Sequence, residues 1–369
     1  MIELAQILIS LLVFILVLGG LVLIHEVGHF LTARMARVRV LEFGIGFPPR
    51  AKVISRGSET LYTLNWLPIG GFVKLEGEDG DDADDPRSFV RARLPVKLVI
   101  LVAGVVMNLL LSWAIFTGIV LWGEPAIGMT IGTVAPGSPA ETAELQPGDT
   151  IVSVNGQQAS ALDQIFGKRL PPDQLRALAG ETVVLAIVHA DGTTEDVTVT
   201  LRVPTGPNQG ALGVADLKGA KAGTVQFGLV EAARLGFQRT IDAFTMILGG
   251  LGDLGRSIVT NPLAAPEASG PVGIAVQVGD VLWNLGPLYV LFMAGLLSAN
   301  LALVNILPFP PLDGGRMLVV ALKAIPGVGG RISLRAEQLT YAIGFVALFT
   351  FLIWITVFDI ARQLGGPTP

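Results

Sequence analysis

The sequence predicts a polytopic α-helical membrane protein with about four transmembrane helices, a membrane-associated β-hairpin and an inserted α+β domain. Composition is the first reason: 51% of the 369 residues are hydrophobic and 15% are charged, against about 25% charged in a soluble domain. Patterning is the second: long uncharged segments alternate with a polar first loop and a strand-rich central region. These two observations together exclude an ordinary soluble enzyme.

Four apolar segments are long enough to cross a bilayer. They are Ala5–Ile24, Leu98–Trp122, Val281–Leu307 and Leu339–Phe358. The first has no charged residue, and as a helix it would be about 30 Å long, one hydrocarbon thickness. It lacks the basic start and small-residue cleavage site of a signal peptide, so we interpret it as a span of the mature protein.

Lysine and arginine residues predict the orientation of these spans. Residues 31–97 carry eleven of them, whereas the longer region 123–280 carries nine. The loop after the third span adds Arg316, Lys323, Arg331 and Arg335. We therefore expect the first and third loops on the inner side of the membrane and residues 123–280 on the outer side. The acidic run "EGEDGDDADD" in the first loop weakens this contrast.

Composition also limits the chemistry. The chain has no cysteine, so disulfides and thiolate zinc sites are excluded. Any metal site must then use His, Asp or Glu. The net charge of −5 gives no indication of nucleic-acid binding.

The motif "HEVGH", His25–His29, closes the first apolar segment and contains two of the three histidines of the chain. On a helix His29 lies about 40° from His25, so that both imidazoles can reach one metal ion. Glu26 lies about 60° beyond His29, close enough to act on a metal-bound water. Gly28 leaves the remaining flank open for another segment. The alternative is a helix end whose polar residues simply meet water.

A second motif, "NILPFPPLDGGR", Asn305–Arg316, ends the third apolar segment. Its prolines cannot continue a helix, so the backbone must unwind there, and such backbone is tolerated at membrane depth only where protein or a water-filled cavity surrounds it. Asp313 follows directly and is a candidate third metal ligand. The alternative is a Pro/Gly exit loop with a water-facing Asp. Both motifs fall on the predicted inner side, which favours a common site.

The region between the second and third spans resembles a PDZ domain of the bacterial protease-associated kind. The resemblance rests on "GSPA", on "LQPGDTIVSVNG" and on the closing hairpin, over about residues 126–204. It implies an open sheet edge that accepts an extended peptide or a C-terminus; the alternative is a PDZ-shaped spacer without a ligand. The following stretch is amphipathic, and we interpret it as lying at the membrane interface.

The paired motifs resemble the site-2 protease family of intramembrane zinc metalloproteases, in its bacterial sigma-factor-regulating branch with a single PDZ domain. The family implies one Zn²⁺ per chain, held by His25, His29 and Asp313, with Glu26 as general base. It also implies that Asn305 holds the scissile segment or its oxyanion. "GGFVKLEGE" matches the family's membrane-associated β-hairpin, in which Gly71, Phe72 and Val73 would pair with unwound substrate.

Two further elements of the resemblance are less specific. "AGVVMN" matches a family Gly-x-x-x-Asn element through Gly104 and Asn108, although Gly104 could equally serve helix packing. "EFGIGFPPR" matches a first-loop stretch in which Pro48 stands where the family usually has glycine.

The resemblance divides the chain into four parts: a first catalytic half (1–122), a PDZ domain on the outer side (123–215), an amphipathic interfacial segment (216–280) and a second catalytic half (281–369). It implies a multi-pass protein of the bacterial cytoplasmic membrane. Its substrates would be single-span membrane proteins, such as an anti-sigma factor or a remnant signal peptide, already shortened on the outer side.

Two other classes remain as alternatives. A transporter would place ionisable residues in the membrane, but it predicts inverted repeats, which the sequence does not show. A catalytically silent PDZ-carrying membrane scaffold would be free to lose Glu26 or a ligand, whereas this chain retains the complete set.

Overall fold

The computed structural model divides the chain into two compact units, Met1–Phe116 with Gly236–Pro369, and Thr117–Leu235. Most of the acidic run of the first loop, residues 79–84, lies outside the described part of the chain. The described residues are 2–78, 85–166, 171–206, 209–261, 266, 268–329 and 332–365, apart from the side chains of residues 2, 3, 69 and 171–173.

Helices dominate the first unit and strands the second. The helices are α1 (Ile2–Met35), α2 (Leu94–Trp122), α3 (Pro139–Thr142), α4 (Pro171–Ala177), α5 (Leu229–Thr260), α6 (Pro271–Asn284), α7 (Pro287–Ile306), α8 (Asp313–Ala324) and α9 (Leu334–Gln363). The strands are β1 (Val40–Arg56), β2 (Leu61–Leu75), β3 (Glu124–Thr130), β4 (Thr133–Val134), β5 (Thr150–Val154), β6 (Gln157–Ser160), β7 (Thr182–Val188), β8 (Thr194–Thr200), β9 (Val214–Ala215) and β10 (Lys218–Val225). Short 3₁₀ turns occupy Phe89–Arg91 and Asp163–Phe166.

Within the described residues, four helices are long and apolar enough to cross a membrane: α1, α2, α7 and α9. This confirms the four spans that composition predicts. Three of them are longer than expected: α1 continues past Ile24 to Met35, α2 begins at Leu94, and α9 extends at both ends of the apolar segment 339–358.

The predicted third span was wrong at its start. The apolar segment 281–307 contains a helix break, since α6 ends at Asn284 and α7 begins at Pro287. Gly286 adopts a φ of 97°, which favours glycine, and Pro287 has no backbone N–H to continue the preceding helix. The spanning helix is therefore Pro287–Ile306.

The first loop forms more than the β-hairpin predicted from "GGFVKLEGE". Strands β1 and β2 each bend, so that their halves pair separately. Residues 40–45 pair with 71–75 on one side and with 61–64 on the other, and 50–56 pair with 61–65. Gly46 and Gly70 both have a φ above 80°, next to Pro48, Pro49 and Pro68. These residues bend the strands into four sheet segments, with 71–75 at one edge.

Large apolar side chains are exposed on this sheet. Trp66 is 71% exposed, Ile54 55% and Leu67 54%. Tryptophan is enriched at membrane–water interfaces, where its apolar ring and polar N–H are both satisfied. The exposed side chains favour a sheet that lies against the membrane surface.

The second unit is built on a six-stranded sheet in the order β10-β3-β6-β5-β7-β8, with antiparallel pairs throughout. The closing hairpin predicted for this region is confirmed as β7 and β8. Asn155 and Gly156, at the end of "LQPGDTIVSVNG", both have positive φ, as a tight hairpin turn requires. The buried core of the sheet includes Ile131, Ile151, Val183, Leu185, Ile187 and Leu201.

The sheet extends past residue 215, where the predicted domain ends. Lys218–Val225 pair with β3 through backbone hydrogen bonds, a long-range contact that sequence pattern alone does not reveal. The predicted interfacial segment 216–280 therefore comprises strand β10, the long amphipathic helix α5 and most of α6.

A buried carboxylate joins the start of α6 to the last span. Asp359, only 2% exposed, accepts a hydrogen bond of 2.8 Å from the backbone N–H of Gly273, and it lies 3.7 Å from Arg362. A negative charge at a helix N-terminus is favourable because the first amides have no partner within the helix. A Cβ at Gly273 would lie 2.7 Å from the Asp359 carboxylate, so glycine permits this approach.

We expect Asp359→Ala to lower the thermal unfolding midpoint of the purified protein in detergent. The substitution removes the acceptor of a buried amide and the partner of Arg362, a loss of about 1–3 kcal/mol. Scanning fluorimetry measures the midpoint. Asp253→Ala, which removes an exposed carboxylate of α5, is the matched control and should leave the midpoint unchanged. Equal shifts in both variants would contradict this role of Asp359.

Candidate metal centre and active site

Helix α1 carries His25, Glu26 and His29 along its length and not at its end. The helix continues to Met35, and the two imidazoles are buried at 6% and 9% exposure. The alternative of a helix end that simply meets water is therefore wrong. The i, i+4 spacing places both rings on one face, edge to face, with centroids 4.8 Å apart.

The proline-rich turn after α7 brings Asp313 to this face. Helix α7 ends at Ile306, Leu307 is extended, and α8 starts at Asp313. The predicted unwinding is confirmed, and it has the physical cause expected of consecutive prolines. Asp313 is buried at 8% exposure, so the alternative of a water-facing Asp in an exit loop is wrong as well.

Three ligand atoms converge at this point. Asp313 Oδ2 lies 2.9 Å from His25 Nε2 and 3.3 Å from His29 Nε2, and the two nitrogens are 3.1 Å apart. Ligands placed about 2.0–2.1 Å from one zinc ion in a tetrahedron are about 3.4 Å from each other. The donor set and its spacing therefore fit a small dication, and these three residues could hold one.

The orientation of His29 suits a ligand. Its Nδ1 lies 2.8 Å from the backbone carbonyl of Ile100 on α2, an acceptor that requires the proton to be on Nδ1. The Nε2 lone pair then points to the point of convergence. Such a hydrogen bond from the second ring nitrogen is the usual support of a metal-bound histidine.

Helix α2 approaches the centre closely through two glycines. A Cβ at Gly28 of α1 would lie 2.6 Å from the Ala103 carbonyl oxygen. A Cβ at Gly104 of α2 would lie 2.6 Å from both histidine Nε2 atoms. Gly28 thus leaves one flank of α1 open, as the sequence predicts, and α2 packs against this flank. Gly104 keeps free the space in which the nitrogens converge.

Two cavities open on the centre, and both are bordered by Glu26, Phe47 and Asp313. The first, about 210 Å³, also contacts His25, Asn108 and Asn305. The second, about 200 Å³, also contacts His29, Gly71, Phe72, Val73, Glu78 and Arg316. The structure therefore brings every predicted site residue to the centre, but it places Asn305 and the Gly71–Val73 strand on different cavities.

Three residues at the centre have no role in the sequence interpretation. Phe47 borders both cavities from within the "EFGIGFPPR" stretch. Glu78 and Arg316 form an ion pair beside the second cavity, and this pair joins the end of the first-loop sheet to the start of α8. The only signal for Arg316 is its position after "LDGG", and the partner Glu78 is remote in sequence.

Comparison with known proteins places this centre in a family context. The family model described as peptidase family M50 matches residues 13–351. A putative zinc metalloprotease of Clostridium acetobutylicum is 31% identical over 95% of this chain and 97% of its own length. The zinc metalloprotease RasP of Geobacillus kaustophilus is 30% identical, with 96% and 98% covered. A putative zinc metalloprotease of Nostoc is 31% identical, with 86% and 87% covered.

We expect Gly104→Ala to lower the bound zinc of the purified protein by at least about tenfold, because the methyl group would occupy the space between the two Nε2 atoms. Elemental analysis of the protein in detergent measures the zinc content. Gly118→Ala is the matched control, since it lies on the same helix with nothing within 4 Å of the added carbon. Full zinc occupancy in Gly104→Ala would refute this account of the glycine.

Proposed function

Because the chain belongs to peptidase family M50, the site-2 protease family, we propose that it cleaves transmembrane segments of single-span membrane proteins. The chain is a zinc metalloprotease of this family, which argues against the silent scaffold and the transporter. One observation carries the proposal: Asp313 converges with His25 and His29 beside Glu26, and the helix that bears the two histidines and Glu26 is long and apolar enough to cross a membrane.

The chemistry is divided among a few side chains. His25, His29 and Asp313 would hold the single zinc ion, which when bound polarises the scissile carbonyl and lowers the pKa of water towards about 7. Glu26, at the border of both cavities, would take the proton from the attacking water and return it to the leaving amine. Asn305 would hold the scissile carbonyl from the first cavity.

The edge of the first-loop sheet would hold the substrate backbone. Gly71 lies beside the catalytic carboxylate, since a Cβ there would be 3.5 Å from Glu26 Cγ. Residues 71–75 pair with residues 40–45 on one side only, and no described strand occupies the other side. An extended segment can add to such an edge by main-chain hydrogen bonds. A helical substrate offers no free backbone groups, so it must unwind first.

Asn108 would orient the imidazole of His25. Its side-chain amide lies 3.3 Å from His25 Nδ1, and its Oδ1 is buried without a hydrogen-bond partner. The amide oxygen and nitrogen occupy almost the same space when the group turns over. Turned over, Oδ1 accepts the Nδ1 proton, its buried oxygen is satisfied, and His25 Nε2 is left unprotonated for the metal.

The inserted unit, Thr117–Leu235, would act as a PDZ-type size gate on the outer side of the bacterial cytoplasmic membrane. The motif "LQPGDTIVSVNG" and the confirmed β7–β8 hairpin support this assignment. The excess of basic residues in the first and third loops supports the orientation. Substrates would be admitted after shortening on the outer side, as an anti-sigma factor or a remnant signal peptide would be, and a peptide C-terminus could bind the sheet edge.

We expect the purified protein to cleave a single-span model substrate in detergent and Glu26→Gln to reduce the rate by at least about a hundredfold, since the amide cannot accept the proton. Mass spectrometry of the fragments locates the cut. Chelation of zinc should abolish cleavage by the wild type. Added zinc should then restore cleavage by the wild type but not by Glu26→Gln. Equal cleavage by both proteins would refute the role of Glu26.

We expect Asn108→Leu to weaken zinc binding by about 10–100-fold, as loss of a ligand-orienting partner does, while Asn108→Asp retains binding because a carboxylate also accepts the Nδ1 proton. Competition with a chromophoric chelator measures the affinity. Nitrogen chemical shifts of histidine-labelled protein report the tautomer of His25. Equal affinities of the Leu and Asp variants would contradict the orienting role.

A further inference from the structure

A third cavity, of about 370 Å³, lies at the far end of α1 and is rich in arginine. Its volume is in the range of small-molecule sites. Neither the metal-ligand residues nor Glu26 contacts it. Its lining includes Arg34, Arg37, Arg39 and Arg87 together with Glu59, Thr60 and Tyr62.

The positive charge of this arginine cavity is only partly neutralised. Arg87 pairs with Glu59 at 2.6 Å, and Arg39 lies 3.3 Å from Glu76 and 3.7 Å from Asp85. Arg34 and Arg37 form no close ion pair among the described residues. Arg34 lies over the ring of Phe30, 5.5 Å from its centroid, and its charge also acts on Glu59. Within the described part of the chain, these two guanidinium groups are therefore available to attract an anion.

Backbone hydrogen bonds hold the walls of the arginine cavity in place. The amide of Arg39 donates to the Arg87 carbonyl at 3.0 Å, and the amide of Glu76 donates to the Arg39 carbonyl at 2.9 Å. Buried Thr60 donates through its hydroxyl to the Val40 carbonyl at 2.9 Å. These hydrogen bonds join three segments of the first loop that are distant in sequence. The arginines therefore extend from backbone that is held in place by hydrogen bonds.

The depth of the cavity in the membrane limits its ligand. Arg34 is in the last turn of α1, a helix long enough to cross the bilayer. About 20 helical residues cross the hydrocarbon core, so the last turn of this 34-residue helix lies beyond the core, on the headgroup side. On the predicted inner side, anionic lipids give the surface a negative potential that attracts basic groups. Guanidinium groups match phosphate oxygens in charge and in fork geometry.

We propose that the arginine cavity binds a phosphate group, supplied by the headgroup of an anionic phospholipid. Arg34 and Arg37 provide the free charges, and Arg39 and Arg87 complete the wall. The proposal is independent of the zinc chemistry, because its evidence and its test involve no cleavage. A soluble phosphate ester offers the same group, so the experiment has to separate the two sources.

The test uses the full-length protein in neutral detergent and short-chain phosphatidylglycerol, phosphatidylcholine of the same chain length, and glycerol phosphate as probes. Native mass spectrometry and a binding titration give stoichiometry and affinity. We expect one saturable phosphatidylglycerol per chain. The double variant Arg34→Gln, Arg37→Gln should weaken it by at least about tenfold, as loss of charge-assisted hydrogen bonds does.

The matched control is Arg93→Gln with Arg335→Gln. It removes the same charge from exposed positions on the same predicted side of the membrane, away from the arginine cavity, and should weaken binding by less than about twofold. Zinc content and unfolding midpoint check that both variants are folded.

Each result decides the proposal. Binding of phosphatidylglycerol but not of glycerol phosphate supports a lipid headgroup site; binding of both, with the same arginine dependence, supports a phosphate site open to soluble esters. Equal weakening in the two double variants would indicate nonspecific charge attraction and overturn it. Equal wild-type affinity for phosphatidylcholine would overturn it too, and this measurement needs no variant.

Discussion

The burial of ionisable groups on a membrane-spanning helix is the constraint on which the rest of this structure depends. An isolated carboxylate at such a depth is costly, and so is an isolated imidazolium. His25, His29 and Asp313 satisfy one another through their mutual contacts, and together they could hold a cation. Their convergence requires α2 to pass close to α1, which small residues permit, and it requires the chain after α7 to turn back, which consecutive prolines bring about.

Two cavities open on this centre. One lies towards α7 and the other towards the first-loop sheet, and Glu26 is accessible from both. A hydrolase inside a membrane has to receive two very different reactants, a long apolar segment and water. The two cavities meet at one carboxylate, Glu26, which both reactants have to reach. Phe47, which borders both cavities, is the side chain best placed to separate the two.

Local rules of the chain explain what could be predicted from the sequence. The relation between His25 and His29 is one helical turn, so periodicity was sufficient to place both on one face. The proline run predicted the unwound backbone beside Asp313 for a similarly local reason. The approach of Asp313 to His25, 288 residues away, was predicted from the shared membrane side and the family resemblance and not from spacing.

The features that sequence analysis missed depend on partners that are remote in the chain. The pairing of β10 with β3, the two-sided pairing of residues 40–45 and the ion pair of Arg316 with Glu78 have no local signature. The break before Pro287 was local, with a glycine and a proline side by side, but the apolar, uncharged run 281–307 continues across it and conceals it.

The unpaired edge at residues 71–73 has a consequence for the choice of substrate. Main-chain pairing does not depend on side chains, so under the proposed function the identity of a target segment matters mainly through its helical propensity. In a helix glycine is about 1 kcal/mol less favourable than alanine and proline about 3 kcal/mol, and about 1.4 kcal/mol is a tenfold change in population. A protease built on such an edge would select targets whose transmembrane helices unwind easily. Proteins with stable transmembrane helices would not be cleaved, and no recognition motif would be needed to distinguish them.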